Sequence, residues 1–194
     1  MDNREKLILA SASPRRAALL EQVGVPFQTV VSNVHEDAPP LDPSERVLLL
    51  SRRKAEDVAS RVGRGLVLGA DTVVVADGEV LGKPRHAQEA REMLSRLAGR
   101  DHEVFTGLTL IDAPEGRSLS DFEVTLVRMR PLSQQETDWY VSTGEPMDKA
   151  GAYGIQGRGG VLIERIQGCF YNVVGLPLAK LTRMLGAMGR VYWS

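Results

Sequence analysis

The sequence predicts an α/β (α+β) protein built on a mixed β-sheet flanked by helices. One observation behind this prediction is the valine-rich run Leu66–Ala76, whose near-continuous apolarity is typical of a central, buried strand. Another is the dipeptide Asp77-Gly78 directly after it, which indicates a tight hairpin. Other segments place apolar residues at helical spacing, and hairpins combined with strand–helix units indicate a mixed sheet flanked by helices.

Four elements are predicted before the central strand. They are a strand over Lys6–Ala10, a helix over Arg15–Val23, a strand over Val25–Val31 and a helix over Ser44–Val62. The strands are short apolar runs, whereas each helix has an apolar side, formed by Ala18, Leu19 and Val23 in the first and by Val47, Leu50 and Val58 in the second. Gly24 and Pro26 stop the first helix, and Ser44 is the expected N-cap of the second.

The elements after the central strand alternate strands with helices. We predict strands over Glu79–Leu81, Glu103–Ile111, Phe122–Met129, Val161–Ile166 and Phe170–Val174, and helices over Ala87–Ala98, from Ser133 to near Gly144, and from near Pro177. Gly99 stops the first of these helices, and Ser133 with Glu136 has the form of a capping box. A turn around Pro114 joins the two long strands.

Composition and charge define the class of protein. The chain has 194 residues, 43% of them hydrophobic, which predicts a single domain over residues 1–194. Its 24 Lys+Arg nearly balance 25 Asp+Glu, so no overall field attracts nucleic acid or a membrane surface.

The single Cys169 favours a reducing compartment. The charged start, Met1–Lys6, precedes an apolar run too short for a signal peptide or membrane span, so we expect a cytoplasmic protein.

The first candidate site is the segment Ser11–Arg16. Ser13 can cap a helix whose first position is Pro14, and the free N–H groups of that helical turn suit an anion. Arg15 and Arg16 add donors for phosphate oxygens, although cations at this end oppose the helix macrodipole. A capped helix with two solvated arginines explains the segment equally well, so both interpretations stay open.

The second candidate is Asp71, a carboxylate inside the apolar central strand. Because an unpaired buried carboxylate is costly, Asp71 needs a metal, a cation or hydrogen-bond donors. The alternative is a strand end or bulge, where the carboxylate bonds backbone amides. Counting outward from the Asp77-Gly78 turn sets Thr72 opposite Lys83, which predicts that Lys83 lies beside Asp71. Without that pairing, Lys83 is a solvated surface lysine.

The third candidate is the segment Asp148–Gly160, which contains five glycines from Gly151 onward. Glycine at this density allows a backbone to approach a ligand closely. The segment is neither a Walker A loop nor a dinucleotide fingerprint, so an ordinary flexible loop is the stronger interpretation of the pattern alone.

Taken together, these segments resemble the Maf family of nucleotide pyrophosphatases over nearly the whole chain. The motifs that carry the resemblance are Ala10–Arg16, Gly69–Thr72, Gly82–Pro84, Asp148–Gly157 and Asn172–Pro177. The resemblance implies a fold like that of inosine triphosphate pyrophosphatases. It also implies a nucleotide diphosphatase, a hydrolase that cuts a nucleoside triphosphate between its α and β phosphates with a divalent cation, Mg²⁺ or Mn²⁺.

The resemblance also implies roles for individual residues. Those that match family positions for the triphosphate are Ser11, Ser13, Arg15 and Arg16. Asp71 matches the proposed proton acceptor, and it could act on water directly or hold a metal-bound water. Lys54 and Lys83 match active-site lysines, and Glu36 matches an acidic residue near the metal. Lys149 and Gln156 fall in the loop that closes over the nucleotide.

Within the family, the segment Gly151–Gly157 is similar to the branch acting on dTTP and UTP in a house-cleaning role. The other branch, acting on 7-methyl-GTP, remains an alternative. Arg15, Thr72 and Gln156 match the specificity positions of the first branch, and a glutamine amide offers a donor and an acceptor to a pyrimidine. Two departures are His35, where many members carry an acidic residue, and Cys169, where serine is usual. His35 weakens the case for metal ligation by its loop.

Two functions from other classes compete with the enzyme. The family name comes from inhibition of septum formation, so a nucleotide-binding regulator of cell division is one alternative, and a binding module without turnover is the other. Division arrest that survives in an Asp71→Asn variant, while pyrophosphate release is lost, would favour the regulator. Family members often form homodimers, although no segment of this sequence defines an interface.

Overall fold

The computed structural model describes residues 6–113 and 115–191. Over these residues the strands are Leu7–Leu9 (β1), Phe27–Thr29 (β2), Gly65–Ala76 (β3), Glu79–Leu81 (β4), Asp101–Ala113 (β5), Ser118–Met129 (β6) and Ile163–Gln167 (β7). The α-helices are Pro14–Gln22 (α1), Pro43–Val62 (α2), Ala87–Leu97 (α3), Gln134–Ser142 (α4), Phe170–Val174 (α5) and Leu178–Ala187 (α6). Three 3₁₀ segments cover Glu145–Asp148, Ala150–Ala152 and Gly157–Leu162. Residues 1–5 of the charged N-terminus and Pro114 of the predicted turn lie outside the described residues.

The strands form one mixed sheet, as predicted. Its order is β2-β1-β3-β5-β6-β7, with β4 paired to β3. Strand β1 runs parallel to β2 and to β3, whereas β3–β4 and β6–β7 are antiparallel pairs. The hairpin after β3 is confirmed with its predicted register, since Val75 pairs with Val80 and Ala76 with Glu79. Asp77 and Gly78 both have positive φ, 53° and 77°, as a tight hairpin turn requires.

The chain divides into two compact units. The first contains the described residues up to Asp71, Thr106–Glu123, and the described residues from Gly175 onward; the second contains Thr72–Phe105 and Val124–Val174. The first unit has a core that includes Ile8, Ala10, Ala55, Val58, Val67 and Ile111. The second has its own core, which includes Val74, Leu94, Val127, Tyr140 and Leu162. The single domain over 1–194 stays a prediction.

Helix α2 packs directly on the backbone of the sheet in the first unit. A Cβ on Gly69 of β3 would lie 2.1 Å from the carbonyl oxygen of Ser51, and one on Gly107 of β5 would lie 2.4 Å from that of Val47. Both distances are far below van der Waals contact, so only glycine admits the helix this closely. This approach brings the side chain of Lys54 to the level of β3.

Several predictions about local structure were wrong. The N-cap of α2 is Asp42, whose carboxylate accepts a bond from the Ser44 N–H at 3.0 Å, so the helix begins one residue earlier than predicted. The segment Phe170–Val174 is a helix, not a strand. Its β-prone residues are overridden by tertiary contacts, because the buried Asn172 amide nitrogen donates 2.9 Å bonds to the Val104 carbonyl and to the Thr125 hydroxyl.

One helix and one strand also differ from the prediction, the helix in its buried face and the strand in its extent. Helix α1 buries Leu19 as predicted, but Ala18 in the helix and Val23 just after it are exposed, whereas Arg16 and Leu20 are buried. Strand β7 begins only at Ile163, because the residues before it form a 3₁₀ segment.

Of the helices that the structure describes, none combines the length and apolarity needed to cross a membrane.

Candidate active site

The N-terminus of α1 orients one of the two candidate arginines inward. Ser13 is the N-cap and Pro14 follows it, as predicted, but the Ser13 hydroxyl makes no capping bond. Its backbone N–H donates instead to Ser11 Oγ at 3.2 Å. Arg16 is only 8% exposed, and it donates from Nη1 to Ser11 Oγ and from Nε to the Gly175 carbonyl, each at 2.9 Å. The interpretation of two solvated arginines is therefore wrong for Arg16.

The buried charge of Arg16 has an electrostatic consequence. Desolvation lowers the pKa of its guanidinium, and Arg15 adds to that effect, while the charges of Asp71 and Glu36 oppose it. An arginine nevertheless stays protonated in proteins, so this is a fixed positive charge held away from bulk water. An anion beside this guanidinium, such as a phosphate group, would be strongly favoured.

Asp71 lies within β3 and is paired with a lysine. The Asp71 side chain and Lys54 are both buried, and Lys54 Nζ donates to Asp71 Oδ1 at 2.6 Å. The same ammonium donates to Glu36 Oε1 at 2.7 Å, where the Glu36 side chain is 53% exposed. Asp71 thus lies inside the strand and not at its end, and the cation that a buried carboxylate requires comes from α2.

Burial changes the proton affinity of Asp71. Desolvation raises the pKa of its carboxyl above the ordinary value, and the negative charge of Glu36 adds to this, while Lys54 and Arg16 act in the opposite direction. In the pH interval just above the ordinary carboxyl pKa, the folded chain holds a proton that the unfolded chain has released. The contribution of Asp71 to stability therefore falls as pH rises through that interval. A raised pKa is also what a general base requires to accept a proton near neutral pH.

The loop that carries Glu36 is attached to α2 by arginines that the sequence did not single out. Arg46 donates to the Glu36 carbonyl at 3.2 Å, Arg53 to the Asp37 carbonyl at 3.0 Å, and Arg61 to the Val31 carbonyl at 2.8 Å. Their spacing along α2 places them near one side of the helix. That spacing is visible in the sequence, but their acceptors are backbone carbonyls of a distant loop, which no local pattern reveals.

The second unit holds Thr72, Lys83, Lys149 and Gln156. Thr72 is half-buried in β3, and Lys83 is exposed two residues beyond the end of β4. The ladder between β3 and β4 extends as far as Val74 and Leu81, so the pairing of Thr72 with Lys83 stays a prediction.

The glycine-rich segment is a bonded structure rather than an ordinary flexible loop. Lys149 Nζ donates to the Glu145 carbonyl and to Asp148 Oδ1, each at 2.6 Å. Gly151 N–H donates to the Gly82 carbonyl at 3.0 Å. Gln156 is exposed and immediately precedes the 3₁₀ segment Gly157–Leu162. The ammonium of Lys149 is therefore engaged within the loop, whereas Gln156 is exposed.

A buried aromatic pair anchors the same segment. Tyr153, next to Gly154, shares a 2.7 Å hydrogen bond with His102 Nε2. Burial lowers the pKa of His102 to about 4 and raises that of the Tyr153 hydroxyl, so both groups are neutral at pH 7. The anchor is a neutral bond that does not change across the physiological pH range.

Glu36 and Asp71 are the residues that could hold a metal ion. Within the described ranges, no group of three or more His, Cys, Asp or Glu side chains is arranged to bind one. These two carboxylates do share one cationic partner, the Lys54 ammonium. Mg²⁺ commonly binds through one or two carboxylates together with phosphates of the substrate. The donor set fits an ion that is shared with a polyphosphate, and it does not fit a cage made only of protein ligands.

Comparisons with known proteins show which sequences and folds this chain is similar to. Residues 6–188 match the model of the Maf-like protein family. A dTTP/UTP pyrophosphatase of Symbiobacterium thermophilum is 55% identical over 186 residues, which cover 95% of each chain. One of Carboxydothermus hydrogenoformans is 49% identical over 184 residues, 95% of this chain and 99% of the relative. The structure of the Staphylococcus aureus Ham1 protein matches with a TM-score of 0.56 and 12% identity over 95% of this chain and 100% of that one, a likeness of fold alone.

Proposed function

Because this chain belongs to the Maf family, whose model it matches over residues 6–188, we propose that it is a nucleoside triphosphate pyrophosphatase. It hydrolyses dTTP and UTP to the monophosphate and pyrophosphate, as the names of its relatives at 55% and 49% identity suggest. Removal of unwanted or modified pyrimidine nucleotides is the corresponding house-cleaning role. The reaction is assigned to the cytoplasm, where the single Cys169 stays a thiol.

One observation carries the proposal: a buried carboxylate with a raised pKa, Asp71, lies in contact with a buried ammonium, Lys54. In the proposed step, a water oxygen attacks the α-phosphorus and the bond from that phosphorus to the α–β bridging oxygen breaks. Asp71 accepts the proton of the water, and pyrophosphate leaves with the bridging oxygen. Lys54 keeps the carboxylate oriented before the reaction, and it offsets negative charge as the leaving group forms.

The polyphosphate is held mainly by the cations of the first unit. Arg16 is preset by its bonds to Ser11 and Gly175, so little side-chain entropy is lost when it binds an anion. Arg15 and the hydroxyl of Ser13 lie on the same helical turn and supply further donors. The roles of Lys83 and Lys149 in charge neutralisation are proposed from the family motifs alone.

A divalent cation, Mg²⁺ or Mn²⁺, completes the proposed site. Glu36 would hold it together with phosphate oxygens of the substrate, so that the Asp71 carboxylate remains the acceptor for the proton of water. When bound, the cation supplies positive charge that offsets the phosphate oxygens. The arginines of α2 keep the Glu36 loop in place by their bonds to backbone carbonyls. His35 precedes Glu36 without forming part of this donor set.

Preference among nucleotides is proposed to depend on Arg15, Thr72 and Gln156. The amide of Gln156 can present a donor and an acceptor to the edge of a pyrimidine, and its exposed position suits that contact. A site that hydrogen-bonds its substrate discriminates strongly against analogues that lack the matching groups.

Pyrophosphate release across a panel of nucleotides tests the proposed function. With Mg²⁺ or Mn²⁺ we expect the highest kcat/KM for dTTP and UTP, followed by 5-methyl-UTP. The values for CTP and GTP should be lower by about tenfold or more. The panel includes 7-methyl-GTP. Preferred hydrolysis of that nucleotide would overturn the assignment to the dTTP/UTP branch, and absence of release from every triphosphate would overturn the enzyme.

A further inference from the structure

The glycine-rich loop around Gln156 is fixed at both ends by one acidic residue, Glu145. On the N-terminal side, the Glu145 carbonyl accepts a 2.6 Å bond from Lys149 Nζ. On the C-terminal side, the two oxygens of its carboxylate accept bonds from the backbone N–H groups of Arg158 at 3.2 Å and Gly159 at 3.4 Å. Glu145 therefore connects the entry of the loop to the residues that follow Gln156.

A second contact fixes the residue that lies two positions before Gln156. The hydroxyl of Tyr140, whose side chain is fully buried, accepts a bond from the Gly154 N–H at 3.2 Å. Gly154 and Gly159 also approach each other closely, since a Cβ on Gly159 would lie 2.2 Å from the Gly154 carbonyl oxygen. Gln156 thus stands at the tip of a narrow loop whose two sides are anchored to Tyr140 and to Glu145.

This anchoring restricts a segment whose glycines would otherwise make its backbone flexible. Glycine residues on both sides of Gln156 allow many backbone conformations, and fixing them on ligand binding would cost entropy. Gly157 has a φ of +66°, which an L side chain rarely adopts, and a Cβ there would lie 3.2 Å from both carboxylate oxygens of Glu145. The glycine is required for the carboxylate to reach the two N–H groups. The conformational freedom of the loop is therefore removed before any nucleotide binds.

We propose that Glu145 is a positioning residue for nucleotide selectivity, which acts by holding the Gln156 loop in the conformation that recognises a pyrimidine. The inference rests on the proposed function, because it assumes that Gln156 contacts the base. Glu145 itself touches no reacting atom in this account. Its effect on catalysis passes through the position of the Gln156 amide.

The test compares Glu145→Ala and Glu145→Gln with wild type and with Gln156→Ala. We expect both Glu145→Ala and Gln156→Ala to lower the ratio of kcat/KM for dTTP over CTP about tenfold, mainly through a higher KM for dTTP. Glu145→Gln keeps one acceptor oxygen and should retain an intermediate ratio. The double variant Glu145→Ala with Gln156→Ala should be no less selective than Gln156→Ala alone, because both changes remove the same contact.

A measurement on the loop itself accompanies the kinetics. Hydrogen exchange of the Arg158 and Gly159 amides should be faster in Glu145→Ala than in wild type, while amides of β5 exchange unchanged. Glu164→Ala is the matched control, because Glu164 also lies in the second unit and pairs at 3.5–3.9 Å with Arg165 and Arg128 on the surface. Neither selectivity nor exchange at these amides should change in this control.

Two different failures can be told apart. If wild type releases no pyrophosphate from dTTP or UTP, the proposed function is wrong. If wild type is active and Glu145→Ala is folded, but its dTTP/CTP ratio equals that of wild type, the positioning role of Glu145 is wrong while the enzyme stands. The same holds if the effects of Glu145→Ala and Gln156→Ala on that ratio are additive.

Discussion

Replacement of Asp71 by asparagine is expected to lower kcat for dTTP hydrolysis by about 10²–10⁴-fold, the usual contribution of a general base. Asparagine keeps the size of the side chain and its bond to Lys54, but it cannot accept the proton of the attacking water. The change should appear in kcat much more than in KM, because the arginine that holds the polyphosphate is unaffected. Steady-state pyrophosphate release, with a thermal melt to verify folding, measures the effect.

The pH dependence provides a second readout for Asp71. The base must be ionised, and burial raises its pKa, so activity of wild type should fall as pH drops through the raised pKa of Asp71. This acid limb should be absent from the residual activity of Asp71→Asn. Asp112→Asn is the control, because Asp112 is also a mostly buried aspartate of the first unit, paired at 3.7 Å with Arg190. Equal activity of the Asp71 and Asp112 variants would contradict the role of Asp71.

Replacement of Gly69 by alanine is expected to lower the free energy of unfolding by about 3 kcal/mol or more. The new methyl group would lie 2.1 Å from the Ser51 carbonyl oxygen and 2.9 Å from the Ala55 backbone nitrogen. These are backbone atoms of α2, which cannot move aside as a flexible side chain does, so the helix must shift off β3. Urea unfolding at equilibrium measures the change, and activity should fall with it because Lys54 moves with α2.

Gly186 supplies the control for this substitution. A Cβ at Gly186 in α6 would meet nothing within 4 Å, so Gly186→Ala should leave stability unchanged or raise it by up to about 1 kcal/mol. A Gly69→Ala protein as stable as wild type would contradict the direct packing of α2 on the backbone of β3.

The central part of the fold could be predicted because its signals are local. The apolar run of β3, the Asp77-Gly78 hairpin and the capping box of α4 each depend on residues adjacent in sequence, and the structure confirms all three. Helix α5 was missed because Asn172 determines it through bonds to Val104 and Thr125, residues far away in sequence. Local β propensity carries no information about such partners.

The candidate site was predictable to a different degree for each residue. The apolar neighbours of Asp71 indicate that its carboxylate needs a cation, but only the family resemblance pointed to Lys54, which lies on a separate helix. The inward orientation of Arg16 depends on the Gly175 carbonyl, which is 159 residues away in sequence. Gly69 and Gly107 are both required for the close approach of α2 to the sheet. The family motif Gly69–Thr72 does not reveal this packing role.

The most direct test of the central claim identifies the products of dTTP hydrolysis in ¹⁸O-labelled water by ³¹P NMR. We expect dTMP and pyrophosphate in equal amounts, with the label on the phosphate of dTMP, because water attacks the α-phosphorus. Formation of dTDP and orthophosphate, or label in the pyrophosphate, would contradict it.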